Sequence, residues 1–154
     1  MLQLKEGYKV PFPKKLYEGF EVYDNSIIAN VNVEKLEDVV QHFIVMQSGH
    51  LFFILELPAD GMCQFGFGCH ESNDEIMVKK YNVVTIYSEN IHQYEDFFEP
   101  HEISKIDNLI TAWDTFSASY PGTAEQIKKD GKTVYDIPEL LKEWGIYLAE
   151  TVEE

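Results

Sequence analysis

The sequence contains no arginine, so all twelve of its Lys and Arg positions are lysines. Arginine is the residue that normally makes bidentate contacts with phosphate groups and guanine bases. The formal net charge of −15 also repels nucleic acids and anionic membrane surfaces. These two features predict a protein that binds neither, and they favour basic proteins as partners.

Cysteine is scarce as well, and long apolar runs are missing. The two cysteines, Cys63 and Cys69, are too few for a disulfide scaffold. No apolar stretch approaches the ~20 residues of a membrane-spanning helix. Residues 1–6 lack the charged-then-apolar order of a signal peptide. We therefore expect a cytoplasmic protein without a membrane segment.

What the chain does contain is typical of a packed globular protein. Its 154 residues are 45% hydrophobic and 14% aromatic, which predicts a single domain over residues 1–154. We expect residues 1–16 to form an irregular N-terminal arm, because Pro11 and Pro13 disrupt regular structure there. The acidic tail, residues 150–154, is expected to fray.

Several short stretches rich in β-branched and aromatic residues predict strands. Asp24-Asn25 marks a turn between the first two, and Asp130-Gly131 predicts a hairpin within residues 125–135. The stretch 109–116 is compatible with strand or helix, and strand is preferred because Thr, Ile, Trp and Phe favour it. The predicted strands are residues 16–22, 26–31, 51–57, 76–80, 82–87 and 109–116.

About three helices are predicted. The first spans residues 33–47, with Asn32 as its cap and acids in its first turns. The second spans residues 88–98 and ends before Pro100, and the third begins near Pro138 and runs to about residue 148. Helices and strands in this order predict an α+β fold with a mixed, mostly antiparallel sheet.

Cys63, Cys69 and His70 are the residues most able to support chemistry. As a metal site they fall short of the four closely spaced ligands of structural zinc, and a buried Cys63 beside a loop is the favoured interpretation. As a nucleophile, Cys69 is adjacent to His70, which is a poor geometry for a dyad. We also expect the surrounding acids to raise the pKa of the Cys69 thiol. The sequence thus predicts neither a metal, a cofactor nor a catalytic residue, and a small Cys/His metal protein or hydrolase is the alternative.

The glycine-rich stretch 64–68 lacks the spacing of a phosphate-binding or dinucleotide-binding loop. Two interpretations are open. It is either a bent edge strand, in which glycine allows close backbone approach, or an exposed aromatic recognition loop. The edge strand is favoured.

Acidic residues are concentrated after position 60, where eighteen acids face seven lysines. Such a run is usually a solvated surface. Here tyrosines and phenylalanines are interleaved with the acids, and aromatic contact area beside steering charge is typical of a protein interface. The candidate partner-binding residues are Glu71, Asp74, Glu75, Tyr87, Glu89, Tyr94, Glu95, Asp96 and Glu99.

With these acidic-aromatic segments, 71–75 and 87–102, the chain resembles the immunity proteins of bacterial polymorphic-toxin and contact-dependent inhibition systems. The resemblance lies in size, charge and the lack of a complete catalytic motif. It implies a cytoplasmic protein that neutralises a toxin domain, many of which are basic nucleases. The acids would then cover a cationic active-site cleft in place of the substrate's phosphates. The expectation is therefore a binding protein and not an enzyme.

Overall fold

The computed structural model describes residues 1–48, 64–128 and 130–133, and the single positions 136, 139 and 142. The predicted strand 51–57, most of the predicted helix 138–148 and the tail 150–154 lie outside the described residues. No helix within the described part is both long and apolar enough to cross a membrane.

The described strands are β1 (Tyr8–Lys9), β2 (Gly19–Val22), β3 (Ser26–Asn30), β4 (Phe65–Gly68), β5 (Glu75–Lys79), β6 (Val83–Tyr87) and β7 (Thr123–Ala124). Most of them belong to one antiparallel sheet, which has the order β2-β3-β6-β5-β4. A separate two-stranded antiparallel ribbon consists of β1 and β7. Together with the helix α1 (Leu36–Ser48), the strands confirm the predicted α+β class.

The main core lies on one face of this sheet. Alternate residues of β3, β5 and β6 point to that face, as the two-residue period of a strand requires. They form one buried cluster with α1 and with aromatic residues from the 3-10 turns that follow β6. The central members are Ile27, Ala29, Val39, Val40, Phe43, Ile76, Val78, Val84, Ile86, Tyr94 and Phe98.

The N-terminal arm packs into a second, smaller cluster. Leu2, Tyr8 and Leu16 are buried there with Tyr81, whose ring lies 4.8 Å from that of Tyr8. Tyr81 has a φ of 62°, a left-handed conformation that reverses the chain between β5 and β6. The arm includes β1 and a 3-10 turn at Pro13–Lys15, so it is less irregular than its prolines predict.

Most predicted elements before residue 88 that fall on described residues are confirmed, with boundaries within about three residues. The β2–β3 hairpin, the β5–β6 pair and the helix after Val33 all form. The cap is different: Asn32 makes no capping hydrogen bond, and its side-chain oxygen accepts from the Gln3 amide instead. The stretch 64–68 forms β4, the last strand in the order of the described sheet, as the favoured interpretation predicts.

The predicted helix over residues 88–98 is wrong. The chain instead makes successive 3-10 turns, including Ile91–Tyr94 and Glu99–His101. The spacing of the buried residues does not explain this, because Ile91, Tyr94 and Phe98 would also lie on one face of an α-helix. Local contacts favour the turns: the Ser88 hydroxyl accepts from the Asn90 amide at 3.0 Å, and Asn90, with φ −114° and ψ 63°, is not helical. Pro100 limits the other end of the segment, since it has no amide to donate.

The predicted strand over residues 109–116 is also wrong. Residues Ala112–Thr115 form a 3-10 turn that begins with a capping box. The Asp114 carboxylate accepts from the Thr111 amide at 2.7 Å and from its hydroxyl at 2.8 Å. The Thr-x-x-Asp spacing was the sequence signal for this turn, and it outweighs the strand preference of the intervening residues.

The hairpin predicted at Asp130-Gly131 is described only in part. Both residues have positive φ, 52° and 75°, as a type I′ turn requires. Residues 134–135, which would complete the returning strand, lie outside the described residues.

Candidate functional site

One end of the main sheet collects acidic side chains from two separate sequence segments. In the register of the sheet, Glu75 at the start of β5 lies opposite Tyr87 at the end of β6. Glu71 precedes β5 and Glu89 follows β6, so both lie near the same end. All four side chains are exposed. We refer to Glu71, Glu75, Tyr87 and Glu89 as the acidic end of the sheet.

A buried hydrogen-bonded pair lies beneath this surface. Asp74 is 3% exposed and Tyr94 is fully buried. The Tyr94 hydroxyl donates to Asp74 Oδ2 at 2.6 Å, and Gln93 Nε2 donates to the same oxygen at 2.9 Å. The pair therefore connects the loop before β5 with the turns after β6. It also means that the predicted contact residues Asp74 and Tyr94 face the interior and not a partner.

Gln47 of α1 completes the network, since its Nε2 donates to the Tyr94 oxygen at 2.5 Å. Burial, followed by the hydrogen bond to Asp74, raises the pKa of the Tyr94 hydroxyl. Tyr94 therefore remains a neutral donor at physiological pH. No pattern in the sequence indicated Gln47, which lies 27 residues before Asp74, because only the packing of α1 on the sheet brings the two together.

The loop before β5 is held by its own backbone. The Cys69 amide donates to the Asp74 carbonyl and the Asn73 amide donates to the Cys69 carbonyl, both at 2.8 Å. Asn73 has a φ of 59°, a left-handed conformation that asparagine tolerates. The Ser72 hydroxyl accepts from the Asp74 amide at 3.2 Å. These contacts fix the loop from which Glu71 projects.

Glu95, Asp96 and Glu99 form a second acidic group, which we call the acidic turns. Their side chains are exposed, whereas Tyr94, Phe97 and Phe98 of the same segment are buried in the core. The 3-10 turns thus present carboxylates outward from an anchored backbone. His92 Nδ1 lies 2.7 Å from Glu95 Oε1, and this hydrogen bond lowers the pKa of Glu95.

These carboxylates have few cationic partners. Of the carboxylates in the acidic end and the acidic turns, only that of Glu95 forms an ion pair within the described residues, and its partner is His92. One lysine does reach the acidic end, but it binds the tyrosine: Lys79 Nζ donates to the Tyr87 hydroxyl at 3.0 Å and lies 5.5 Å from the ring centre. The acidic end therefore has unneutralised negative charge beside an aromatic ring that already accepts a cation.

Cys69 is a free thiol at the edge of this surface. Hydrogen bonding by the Ser72 side chain, and then by the backbone of Ser72 and Glu71, lowers its pKa. The expected rise is thus wrong, because these hydrogen bonds outweigh the opposing charge of Glu71. His70 is exposed, and Cys63 lies outside the described residues. Within residues 1–48 and 64–128, and at the further described positions, no group of three or more His, Cys, Asp or Glu side chains is arranged to hold a metal ion.

The described residues define a small α+β domain with concentrated negative charge at one end of its sheet. No family model, curated protein or solved structure matches this chain.

Proposed function

We propose that this chain is an acidic binding protein that neutralises a basic protein partner. The observation that carries the proposal is the acidic end of the sheet. There the register of β5 and β6 brings Glu75 beside Tyr87, and Glu71 and Glu89 project from the loops on either side. Their carboxylates have no ion-pair partner among the described residues.

Such a surface binds by electrostatic complementarity. Negative charge of this density speeds the encounter with a basic protein. Lysines or arginines of the partner then form ion pairs with the carboxylates that have none within the described residues. The loop of Glu71 is held by backbone hydrogen bonds, and the turns after β6 are anchored by Tyr94. Little conformational freedom is then lost on binding, which favours affinity.

Within this class, an immunity protein that blocks a nuclease-type toxin is the function that we propose. A nuclease active site is cationic because it holds phosphate groups. The carboxylates of Glu71, Glu75 and Glu89 would occupy the positions of those phosphates, and Tyr87 would contact an adjacent cation or base-binding surface. The partner's catalytic cleft would thereby be closed to nucleic acid.

Binding to basic nuclease-type toxin domains tests the proposal, beginning with any such domain whose gene is adjacent to that of this chain. The triple variant Glu71→Gln, Glu75→Gln and Glu89→Gln is compared with Glu6→Gln, Glu34→Gln and Glu37→Gln. All six glutamates are exposed, and each triple variant removes three negative charges. We expect the first set to weaken binding by about tenfold or more, and the second by much less, since it leaves the acidic end intact.

Equal losses in the two sets would show that net charge alone controls binding and would contradict the assignment of the acidic end. The association rate should fall as salt is raised. Co-expression supplies the functional test: the wild-type chain should restore growth of cells that express the toxin domain, and the first triple variant should not. Failure of the wild-type chain to bind any basic domain would overturn the proposed function.

A further inference from the structure

Three exposed aromatic and apolar side chains lie on the β2–β3 turn and on the segment 108–116, whose start is hydrogen-bonded to β2. Tyr23 is 47% exposed, Ile110 43% and Trp113 49%. We call these three residues the aromatic surface. Rings of tyrosine and tryptophan that are exposed and held in place are the side chains that most often dominate binding energy at interfaces.

Glu21 joins the two segments that supply this surface. Its carboxylate accepts from the Tyr23 hydroxyl at 2.9 Å, from the Asn108 amide at 3.1 Å and from the Leu109 amide at 2.9 Å. Asn30, which is fully buried, donates from Nδ2 to the Ile110 carbonyl at 2.8 Å. The turn of Tyr23 and the backbone of residues 108–110 are therefore held together before any partner arrives.

Trp113 is fixed in a similar way. Its ring makes edge contacts with Tyr81, at 5.1 Å between centres, and with Phe116, at 5.6 Å. The capping box of Thr111 and Asp114 holds the backbone of the turn that carries it. About half of the indole remains exposed although the ring is packed, so it can contact a partner without a large loss of side-chain freedom.

The charge around the aromatic surface indicates what it binds. Asp107 and Asp114 are exposed, and Lys105 is the one lysine in residues 104–116. Asp114 is near enough to Tyr23 to contribute to the raised pKa of its hydroxyl, after the hydrogen bond to Glu21 and burial. A second copy of this chain would bring the same negative charge to the interface, whereas a basic segment would not be repelled.

The Tyr23 turn adjoins the acidic end, whereas Trp113 packs on Tyr81 at the opposite end of β6. The Ser88 amide donates to the Asn25 carbonyl at 3.1 Å, so the turn that follows Tyr23 touches the exit of β6. In the sheet register, Ser26 lies opposite Tyr87. A partner segment that extends from the acidic end over the Tyr23 turn and along β2 can therefore reach Trp113.

We propose that the aromatic surface is the second half of the partner footprint and that Tyr23 and Trp113 stack against arginine side chains of the partner. The proposal rests on the proposed function, because it assumes a basic partner. Arginine is favoured over lysine here, since its planar guanidinium stacks on aromatic faces while the lysine ammonium is compact and strongly hydrated. The acidic end alone provides no such preference.

Nona-arginine and nona-lysine peptides test this, with binding to the full chain measured by calorimetry at low salt. We expect the wild-type chain to prefer the arginine peptide. Tyr23→Leu and Trp113→Leu should each weaken arginine-peptide binding by about two- to fivefold, which corresponds to the loss of one exposed cation–π contact. Each change should also reduce the preference for the arginine peptide over the lysine peptide. Tyr120→Leu is the matched control, because Tyr120 is 57% exposed but lies outside the aromatic surface.

Unchanged arginine-peptide binding in Tyr23→Leu would overturn the inference, and this variant decides the test if Trp113→Leu does not fold. If binding is then lost only in the Glu71, Glu75 and Glu89 triple variant, the proposed function stands without the aromatic surface. If neither peptide binds the wild-type chain, the proposed function fails with it. A wild-type dimer that becomes monomeric in Tyr23→Leu would identify a second copy as the occupant and also overturn the inference.

Discussion

At the scale of single residues, Asp74 differs most from its neighbours in sequence. It lies between the exposed Asn73 and Glu75, yet its side chain is buried and accepts two hydrogen bonds. Composition could not distinguish it from Glu71 or Glu75, because all three are acids in one polar loop. The difference arises because Tyr94 and Gln93 supply donors on the inner side of that loop.

Replacing Tyr94 with Phe tests the buried pair. The change keeps the ring in the core but removes the hydroxyl that donates to Asp74 and accepts from Gln47. Both partners then lose a hydrogen bond in the interior, so we expect the free energy of unfolding to fall by about 1–3 kcal/mol. Urea unfolding followed by circular dichroism measures it.

The control for this prediction is Tyr120→Phe, in which the ring is exposed. We expect a change within about 0.5 kcal/mol, as is usual for surface positions. A Tyr94→Phe variant as stable as this control would show that the Asp74–Tyr94 pair does not stabilise the fold.

At the scale of elements, β4 depends on a glycine that packs against its neighbour strand. A Cβ on Gly66 would lie 2.6 Å from the Ile76 carbonyl oxygen and 2.2 Å from Met77 Sδ. The Met77 side chain can rotate, but the carbonyl belongs to the β5 backbone. We expect Gly66→Ala to reduce the free energy of unfolding by about 1–3 kcal/mol, as overpacking does, measured by urea unfolding.

Gly68 in the same strand provides the matched comparison. A Cβ there meets its nearest neighbour, the Asp74 carbonyl oxygen, at 3.9 Å, which is ordinary contact. Gly68→Ala should therefore be tolerated or slightly stabilising, because alanine restricts the unfolded chain more than glycine does. Equal destabilisation by the two changes would contradict the packing argument.

Helices and strands were predictable from the sequence where the residue types of a segment favoured one kind of secondary structure. Residues 76–80 and 82–87 have strand residues on both sides of a turn, and β5 and β6 form there. Residues 88–98 carry helix-compatible residues, but the Ser88 hydroxyl accepts from the Asn90 amide and the chain makes 3-10 turns. The apolar spacing fits both kinds of helix, so a single sequence does not reveal this outcome.

At the scale of the whole molecule, a histidine pair links α1 to the turns after β6. His42 Nδ1 and His101 Nε2 are 2.9 Å apart, and the His42 ring stacks on Phe97. Burial lowers the pKa of both imidazoles below the ordinary 6.5. Each ring also lies in the field of charged groups: His101 further lowers the pKa of His42, Asp38 raises the pKa of His101, and Lys35 lowers it.

This pair predicts that global stability falls under mildly acidic conditions. Below the ordinary pKa of 6.5 the unfolded chain binds protons more readily than the folded one. The contribution of the two neutral imidazoles to the free energy of unfolding is therefore fully present above about pH 6.5. It is lost as the pH falls through the lowered pKa values that His42 and His101 have in the folded protein. The range from pH 7 to 5 is chosen because carboxylates with ordinary pKa values near 4.5 stay mostly ionised there, and the pKa values of Glu21 and Glu95 are lower still. Urea unfolding across that range should show the decline.

A double His42→Gln and His101→Gln variant should show a flatter pH dependence over the same range. His92→Gln is the comparison, because that side chain is 80% exposed and lies on the protein surface. If the double variant and His92→Gln keep the same slope as the wild-type chain, the pair does not control acid stability.

The α+β class, the negative charge and the segments that carry it can all be predicted from the amino-acid order, because composition and two-residue periodicity are local properties. The amino-acid order could not determine which acids face outward. The folded arrangement places Glu75 beside Tyr87, with Glu71 and Glu89 near the same end of the sheet, while Asp74 turns inward to Tyr94. The reason is physical: strand register and the packing of α1 set those positions, and both depend on contacts between residues that are distant in the chain.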